Sequence, residues 1–378
     1  MSVYLDYAAA TPVDGPVLQA MQPYFTEQFA NPSSLYASAR VTRQALADAR
    51  ACVAASLGAK PTEVVFTSGA TESINLAIQG VMKAHPAGHI VSTTIEHHAV
   101  LNTVEQYRHT LVDVSQGGLV SVQDILAAIT DETVLVSVMM ANNEVGTIQP
   151  IKDIAAQIHT IRANRTNDLP LYLHSDAAQA ATTLDLHVSR LGVDLLTLNG
   201  GKMYGPKQSG ILYVRTGTQL GPLLYGGGQE RGLRSGTENI AFAVGFAQAL
   251  AAAQAGRKYE SHRLAELRDQ LEGSITRALP GVLINGDQKH RLANNCNLMV
   301  PGLDGEAAVL YLDNAGVQAS TGSACSIGND EPSHVLLAMG LTPEQASASL
   351  RFTLGKTTTA TDIDRASKII IETVRHLT

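Results

Sequence analysis

Between about residues 40 and 215, short apolar runs alternate with longer segments whose apolar residues recur at helical spacing. The runs EVVFT (63–67), HIVSTT (89–94), TVLVSVMM (133–140), LYLH (171–174), LLTL (195–198) and ILYVR (211–215) are rich in aliphatic and β-branched residues. They are too short for ordinary helices and predict strands. NLAIQGVMKA, after SGATES, and the segment after IEHH predict helices. Strand and helix in alternation predict an α/β domain with a mostly parallel sheet. Residues 241–273 predict one long helix, which links this large domain to a smaller one. Residues 274–378 mix short strands (NCNLMV, LRFTLG) with helices, and no internal repeat or low-complexity stretch interrupts them.

Composition narrows the class. The chain has 378 residues, 45% hydrophobic and 16% charged, enough for about two well-packed domains. Its net charge is −7 and no Lys/Arg cluster stands out, which argues against a nucleic-acid surface. MSVYLDYAAATP lacks the basic start and apolar core of a leader, and no apolar run is long enough for a membrane span. Cys52, Cys296 and Cys325 have neither paired nor metal-like spacing, as expected of a reducing cytoplasm.

The polar clusters fall just after the strands, where open α/β sheets gather their ligands. Thr71, His97, Asn143, Asp176, Gln179 and Lys202 are therefore expected to face one crevice. SGATES (68–73), with Gly69, Ala70 and Thr71, opens a helix whose free N–H groups suit a phosphate, and reads equally as an ordinary capped helix. Asp176 in HSDAAQA suits a protonated pyridine nitrogen, or is a helix N-cap. Lys202 follows two glycines between apolar runs, where burial favours the neutral amine that Schiff-base chemistry needs; the alternative is a surface loop lysine. Of His97 and His98, one can stack on a ring and shuttle protons while the other is a solvated loop residue. Asn143 and Arg351 suit a carboxylate clamp, although Arg351 also reads as half of a surface ion pair. Cys325 sits among small polar residues in TGSACSIGND, where exposure favours a reactive thiolate; Cys52 and Cys296 read as small packing residues.

In order and spacing, YLDYAAATP, SGATES, EHHAVL, NNEVG, DAAQ, GGKMYGPKQSG, GGGQERGLRSGT, TGSACS and LRFTLG resemble the NifS/IscS-like cysteine desulfurases. These are a branch of the class V aminotransferase family of fold-type I pyridoxal-phosphate enzymes. The resemblance implies a large domain (15–255) with a mostly parallel seven-stranded sheet, and a smaller α/β domain (1–14 and 256–378) carrying the cysteine loop. It implies that Lys202 bonds covalently to pyridoxal 5'-phosphate. Asp176 would pair with the ring nitrogen and Gln179 with the phenolic oxygen, while His97 stacks on the ring and serves acid–base steps. Gly69, Ala70, Thr71 and Asn199 would lie at the cofactor, and Thr237 would reach the phosphate of a neighbouring subunit, so the protein is expected to be a homodimer. Asn143 and Arg351 would hold the carboxylate of L-cysteine, and Cys325 would take up its sulfur as a persulfide. The stretch from Cys325 to Ser333 has the length of the long-loop group, which passes persulfide directly to a scaffold or other acceptor protein.

The chain departs from the resemblance at the cofactor lysine. Relatives usually carry Ser-Gly-His-Lys at the cofactor lysine, and this chain has Asn199-Gly200-Gly201-Lys202. The lost contact would cost ~1–3 kcal/mol of cofactor binding unless another group substitutes. Two other readings use the same residues: a lyase acting on selenocysteine or cysteine sulfinate, and a non-catalytic sulfur-relay protein of the same fold.

Overall fold

The computed structural model of the chain describes residues 2–322 and 331–378. In chain order the strands are β1 (Val3–Tyr4), β2 (Val64–Thr67), β3 (His89–Thr93), β4 (His109–Val112), β5 (Thr133–Ser137), β6 (Tyr172–Asp176), β7 (Leu195–Asn199), β8 (Gly210–Val214), β9 (Leu283–Ile284), β10 (Asn295–Met299), β11 (Val317–Gln318) and β12 (Ser349–Thr353). The large sheet has seven strands in the order β2-β8-β7-β6-β5-β3-β4. Only β8 runs against its neighbours, β2 and β7. Strands β3 to β7 pair in parallel, so their carboxyl ends share one edge.

Alternation along each strand divides its side chains between two apolar layers. Val64, Val136 and Leu196 face a core with Val53, Ile154 and Phe246. Their neighbours Val65, Leu135 and Leu195 face another, with Ile74, Ile78 and Val81 of the Ala70–Ala84 helix. Burial on both faces explains why these strands read as continuous apolar runs. The expected strands lie where the sequence placed them, with two differences. TVLVSVMM leaves the regular ladder after Ser137, although Val138 and Met140 still donate their N–H groups to His174 and Asp176 of β6. The edge strand β4 went unread because HTLV is short and only its last residue is buried.

The long helix is Ile240–Ala278, 39 residues. Its first half puts Phe246 and Leu250 into the large core. Its second half puts Leu264, Leu271 and Ile275 into a separate core with Leu298, Leu350, Phe352 and Ile370. Val3 and Leu5 join that second core, because β1 pairs in parallel with β11. The small sheet β12-β10-β9 lies over it. The chain's first residues thus pack with its last hundred, and the segment after β1 runs back toward the large sheet.

Candidate active site

The carboxyl edge of the large sheet borders a cavity of about 410 Å³. Thr71, His97, Asn143, Asp176, Gln179 and Lys202, expected to face one crevice, all line it. Ala70, Asn199, Gly322 and Arg351 complete much of the wall. Gly69 stands just behind, as the residue before the Ala70–Ala84 helix, with φ 139°. In the sheet register, Gly210 lies between Thr67 and Asn199. A Cβ on Gly210 would come within 2.7 Å of Gly69, so the lack of a side chain lets the helix start close against the sheet. Thr237 is exposed and lies outside the cavity of its own chain. Cys325 lies outside the described residues.

On the sheet side, three polar side chains are oriented by the same local device. Asp176 Oδ1 accepts from Ala178 N at 2.9 Å, Asn199 Oδ1 from Gly201 N at 3.0 Å, and His97 Nδ1 from Ala99 N at 3.0 Å. Each bond closes a turn just past a strand, where short polar side chains can substitute for ladder partners. Burial pushes the Asp176 carboxyl up to about 6, against the opposing pull of the Ala178 N–H and Lys202. A cation placed at this carboxylate would restore the ionised form. Burial drives His97 down to about 4, helped by His98 and Lys202, so its ring is neutral near pH 7. With Nδ1 accepting, the ring proton is on Nε2. Lys202 stands in the short turn after β7, and its Nζ donates to the carbonyls of Ala8 and Ala9 at 2.8 and 2.6 Å. Gln179 donates to the Ala8 carbonyl as well, at 3.0 Å.

Arg351 closes the cavity from β12. Its Nη2 donates to Asp6 Oδ1 at 2.8 Å; Nη1 donates to the carbonyls of Asn143 and Gly322, at 3.1 and 3.3 Å. The guanidinium is buried, and its Nε has no partner among the described residues. An unpaired buried donor is costly unless a ligand satisfies it. The ion pair read as one alternative for Arg351 therefore exists, but its arginine is buried and its aspartate partly so, and it holds the side chain at the cavity.

Several residues of this neighbourhood were not singled out from sequence: Asp6, Glu96, Glu144 and His334. The first three stand inside motifs already noted, YLDYAAATP, EHHAVL and NNEVG. Glu96 is buried, with Oε1 accepting from Thr93 Oγ1 and Met139 N, while Oε2 has no partner among the described residues. Burial raises it to about 8, so it holds a proton at neutral pH. His98, expected as a solvated loop residue, is exposed but packs its ring on His334, centroids 4.5 Å apart.

The residues present fit an aldehyde cofactor with a phosphate and a basic ring nitrogen. A carboxylate that wants a cation, a helix start with an open glycine beside it and a lysine at a strand end share one cavity of suitable size. Among known proteins, residues 3–366 match the family described as Aminotransferase class-V. A relative called cysteine desulfurase IscS, from Clostridium botulinum, is 43% identical over 99% of this chain and 94% of its own length. A solved structure of a NifS-like protein superposes with a TM-score of 0.91 at 33% identity, covering all of both chains. Another, of SspA in complex with cysteine, does so with a TM-score of 0.81 at 35% identity over 94% of this chain and 99% of its own. Fold, lysine turn and full-length likeness together make this chain a member of the class-V aminotransferase family, whose cofactor is pyridoxal 5'-phosphate.

Proposed function

We propose that the chain is a pyridoxal-phosphate-dependent cysteine desulfurase, converting L-cysteine to L-alanine and passing the sulfur through Cys325 to an acceptor protein. The observation that carries this reading is one cavity shared by Lys202 Nζ, the buried Asp176 carboxyl and the spare Nε of Arg351. The curated relatives that bear the name cysteine desulfurase support it across the whole chain.

Lys202 holds the cofactor, Asp176 its ring nitrogen and Gln179 its phenolic oxygen. Asn199, Thr71 and the N–H groups of the helix start, with Gly69 and Ala70, receive the phosphate. When bound, the cofactor supplies an electron sink for charge developing at the substrate α-carbon. Arg351, with Asn143 beside it, binds the substrate carboxylate and fixes that carbon over the site. Lys202, once free, moves the α-proton, and the neutral imidazole of His97 is ready to accept or return a proton at Nε2 or to stack on the ring. The Cys325 thiolate attacks the substrate sulfur; the S–S bond forms as the Cβ–S bond breaks, and the electron pair left on carbon takes up protons to give alanine.

The assembly that fits this reading is a homodimer, in which Thr237 reaches the neighbouring subunit's phosphate. Exposed Phe25, Phe29, Leu35 and Tyr36 offer apolar surface for that contact. The working division is a large cofactor domain (15–255) and a smaller domain (1–14 and 256–378). The setting is the cytoplasm, and the acceptor is a scaffold or carrier protein of the kind that serves iron–sulfur cluster assembly. Among the described residues, no helix is long and apolar enough to cross a membrane.

The decisive experiment mixes purified protein with cofactor, L-cysteine and reductant, and measures sulfide and alanine. Wild type is expected to release both in equal amounts, and Cys325→Ser to lose sulfide. No sulfide from wild type sinks the desulfurase reading. Unchanged sulfide from Cys325→Ser sinks the persulfide step and favours a lyase that releases its product directly.

A further inference from the structure

Residues 323–330, Cys325 among them, run between two roots, Gly322 on one side and Glu331-Pro332-Ser333 on the other. The upstream root is fastened to β12: Ser320 and Arg351 exchange backbone hydrogen bonds, Gly322 N donates to Ser320 Oγ, and the Gly322 carbonyl accepts from Arg351 Nη1. The downstream root is fastened elsewhere. Ser333 caps the His334–Ala338 helix, and its hydroxyl donates to Glu144 Oε2 at 2.5 Å. His334 Nε2 donates to the Glu96 carbonyl at 2.9 Å while its ring packs on His98.

Glu144 stands where the two roots meet. Its carboxylate takes the Ser333 hydroxyl, and a Cβ on Gly322 would lie 3.1 Å from the same Oε2. Gly322 has φ 101°, so both its conformation and its clearance favour glycine. Glu144 is itself buried and held: its N–H donates to Asn142 Oδ1 and its carbonyl accepts from Asn297 Nδ2. It directly follows Asn143, whose carbonyl accepts from Arg351.

We propose that Glu144 is a positioning residue that, through Ser333, fixes the downstream end of the Cys325 segment beside the cavity. The inference rests on the desulfurase reading for its purpose. A thiol on a tethered segment reaches the substrate sulfur at an effective concentration set by where the tether is rooted. Releasing that root should therefore slow the step in which the thiol engages the substrate sulfur. Arg351 bonds the other root and has a spare donor for the substrate carboxylate, so substrate and thiol are referenced to the same frame.

The test compares Glu144→Ala, Glu144→Gln and Ser333→Ala in the full-length, cofactor-loaded protein. One readout is the rate at which iodoacetamide alkylates Cys325, followed by mass spectrometry with Cys52 as internal control. The second is single-turnover alanine formation from L-cysteine, beside the absorbance change that reports substrate binding. Glu144→Ala and Ser333→Ala are each expected to slow alanine formation about tenfold, the order of one buried hydrogen bond to a charged group. Both should speed alkylation at Cys325 but not at Cys52, with the substrate-induced absorbance change kept. Glu144→Gln retains an acceptor for Ser333 and should recover most of the rate. The double variant Glu144→Ala/Ser333→Ala should be no slower than either single one, because both remove the same bond. Unchanged alkylation at Cys325, equal acceleration at Cys52, or additive losses in the double variant would each overturn the proposal. Wild type that forms no alanine would remove the desulfurase reading alone, since the alkylation rates still decide whether Glu144 anchors the segment.

Discussion

The two sides of the cavity are built differently. On the sheet side, Asp176, Asn199 and His97 are each oriented by an N–H two residues further on. On the opposite side, Arg351 is held by Asp6, Asn143 and Gly322, which are 345, 208 and 29 residues away in sequence. The first side can take shape as soon as each strand and its turn form. The second requires that the chain's start, the turn after β5 and β12 come together. Damage on the sheet side should therefore stay local, and damage at Arg351 should reach both binding and stability.

Arg351 offers the largest break. Arg351 is buried and Asp6 only partly so, which lets water offset part of the loss, and Arg351→Ala should cost about 1–3 kcal/mol of stability through Asp6. It should also raise KM for L-cysteine by about 100-fold through the lost carboxylate contact. Asp6→Asn separates the two effects. It keeps a hydrogen-bond acceptor for Nη2 and should disturb KM much less. Denaturant unfolding and steady-state kinetics of both variants decide this; a stable Arg351→Ala with only a KM defect would mean the pair with Asp6 carries no structural weight.

The same contrast explains what the sequence disclosed. The sheet side was legible because each functional residue stands right after an apolar run, and strand ends of a parallel sheet share one edge. Arg351 was legible as chemistry but not as placement, because nothing local says that Asp6 will pair with it. Glu96 was hidden by the histidines beside it: a glutamate before two histidines reads as solvated, and only the tertiary packing of Thr93 and Met139 makes it a buried acid. Edge strand β4 was missed for want of an apolar pattern. The turn around Lys202, by contrast, could be placed from its flanking strands alone.

Glu96 supports a smaller test beneath the sheet side. Its ordinary pKa is 4.5, raised to about 8 in the fold. The folded chain therefore holds a proton that the unfolded chain releases. This contribution is complete below about pH 4.5 and is lost as pH rises toward 8, by up to about 1.4 kcal/mol per pH unit. His85, His89, His97, His98 and His174 are all lowered by burial from an ordinary 6.5 and oppose this slope while their unfolded forms titrate, so the Glu96 contribution is read from the difference between wild type and a variant. Glu96→Gln keeps the carbonyl acceptor for Thr93 and Met139 and cannot ionise. Relative to wild type, its unfolding free energy should rise as pH increases toward 8, by up to about 1.4 kcal/mol per pH unit. A slope equal to that of wild type would mean another group is responsible.

The smallest expected effect falls on the sheet side itself, at Gly201. The resemblance sets histidine there and so implies a weakened hold on the phosphate. The structure leaves room for a side chain: a Cβ would meet Lys207 Cγ at 3.4 Å and Asn199 Oδ1 at 3.5 Å, ordinary contacts, and φ at Gly201 is not positive. Gly201→Ala should therefore raise stability by about 0.4–1 kcal/mol, through the lost freedom of the unfolded chain, without changing cofactor affinity. Gly201→His should gain as much and also bind pyridoxal phosphate more tightly, by about tenfold if its ring adds one hydrogen bond to a charged group. Titration of the cofactor-free proteins separates the two. If histidine binds no tighter than alanine, then the Asn199 amide, whose oxygen is taken by Gly201 N, already supplies the missing contact through its free NH₂. Asn199→Ala would in that case weaken binding where Gly201→His had failed to strengthen it, and the departure at 201 would be a compensated exchange between two neighbours on one turn.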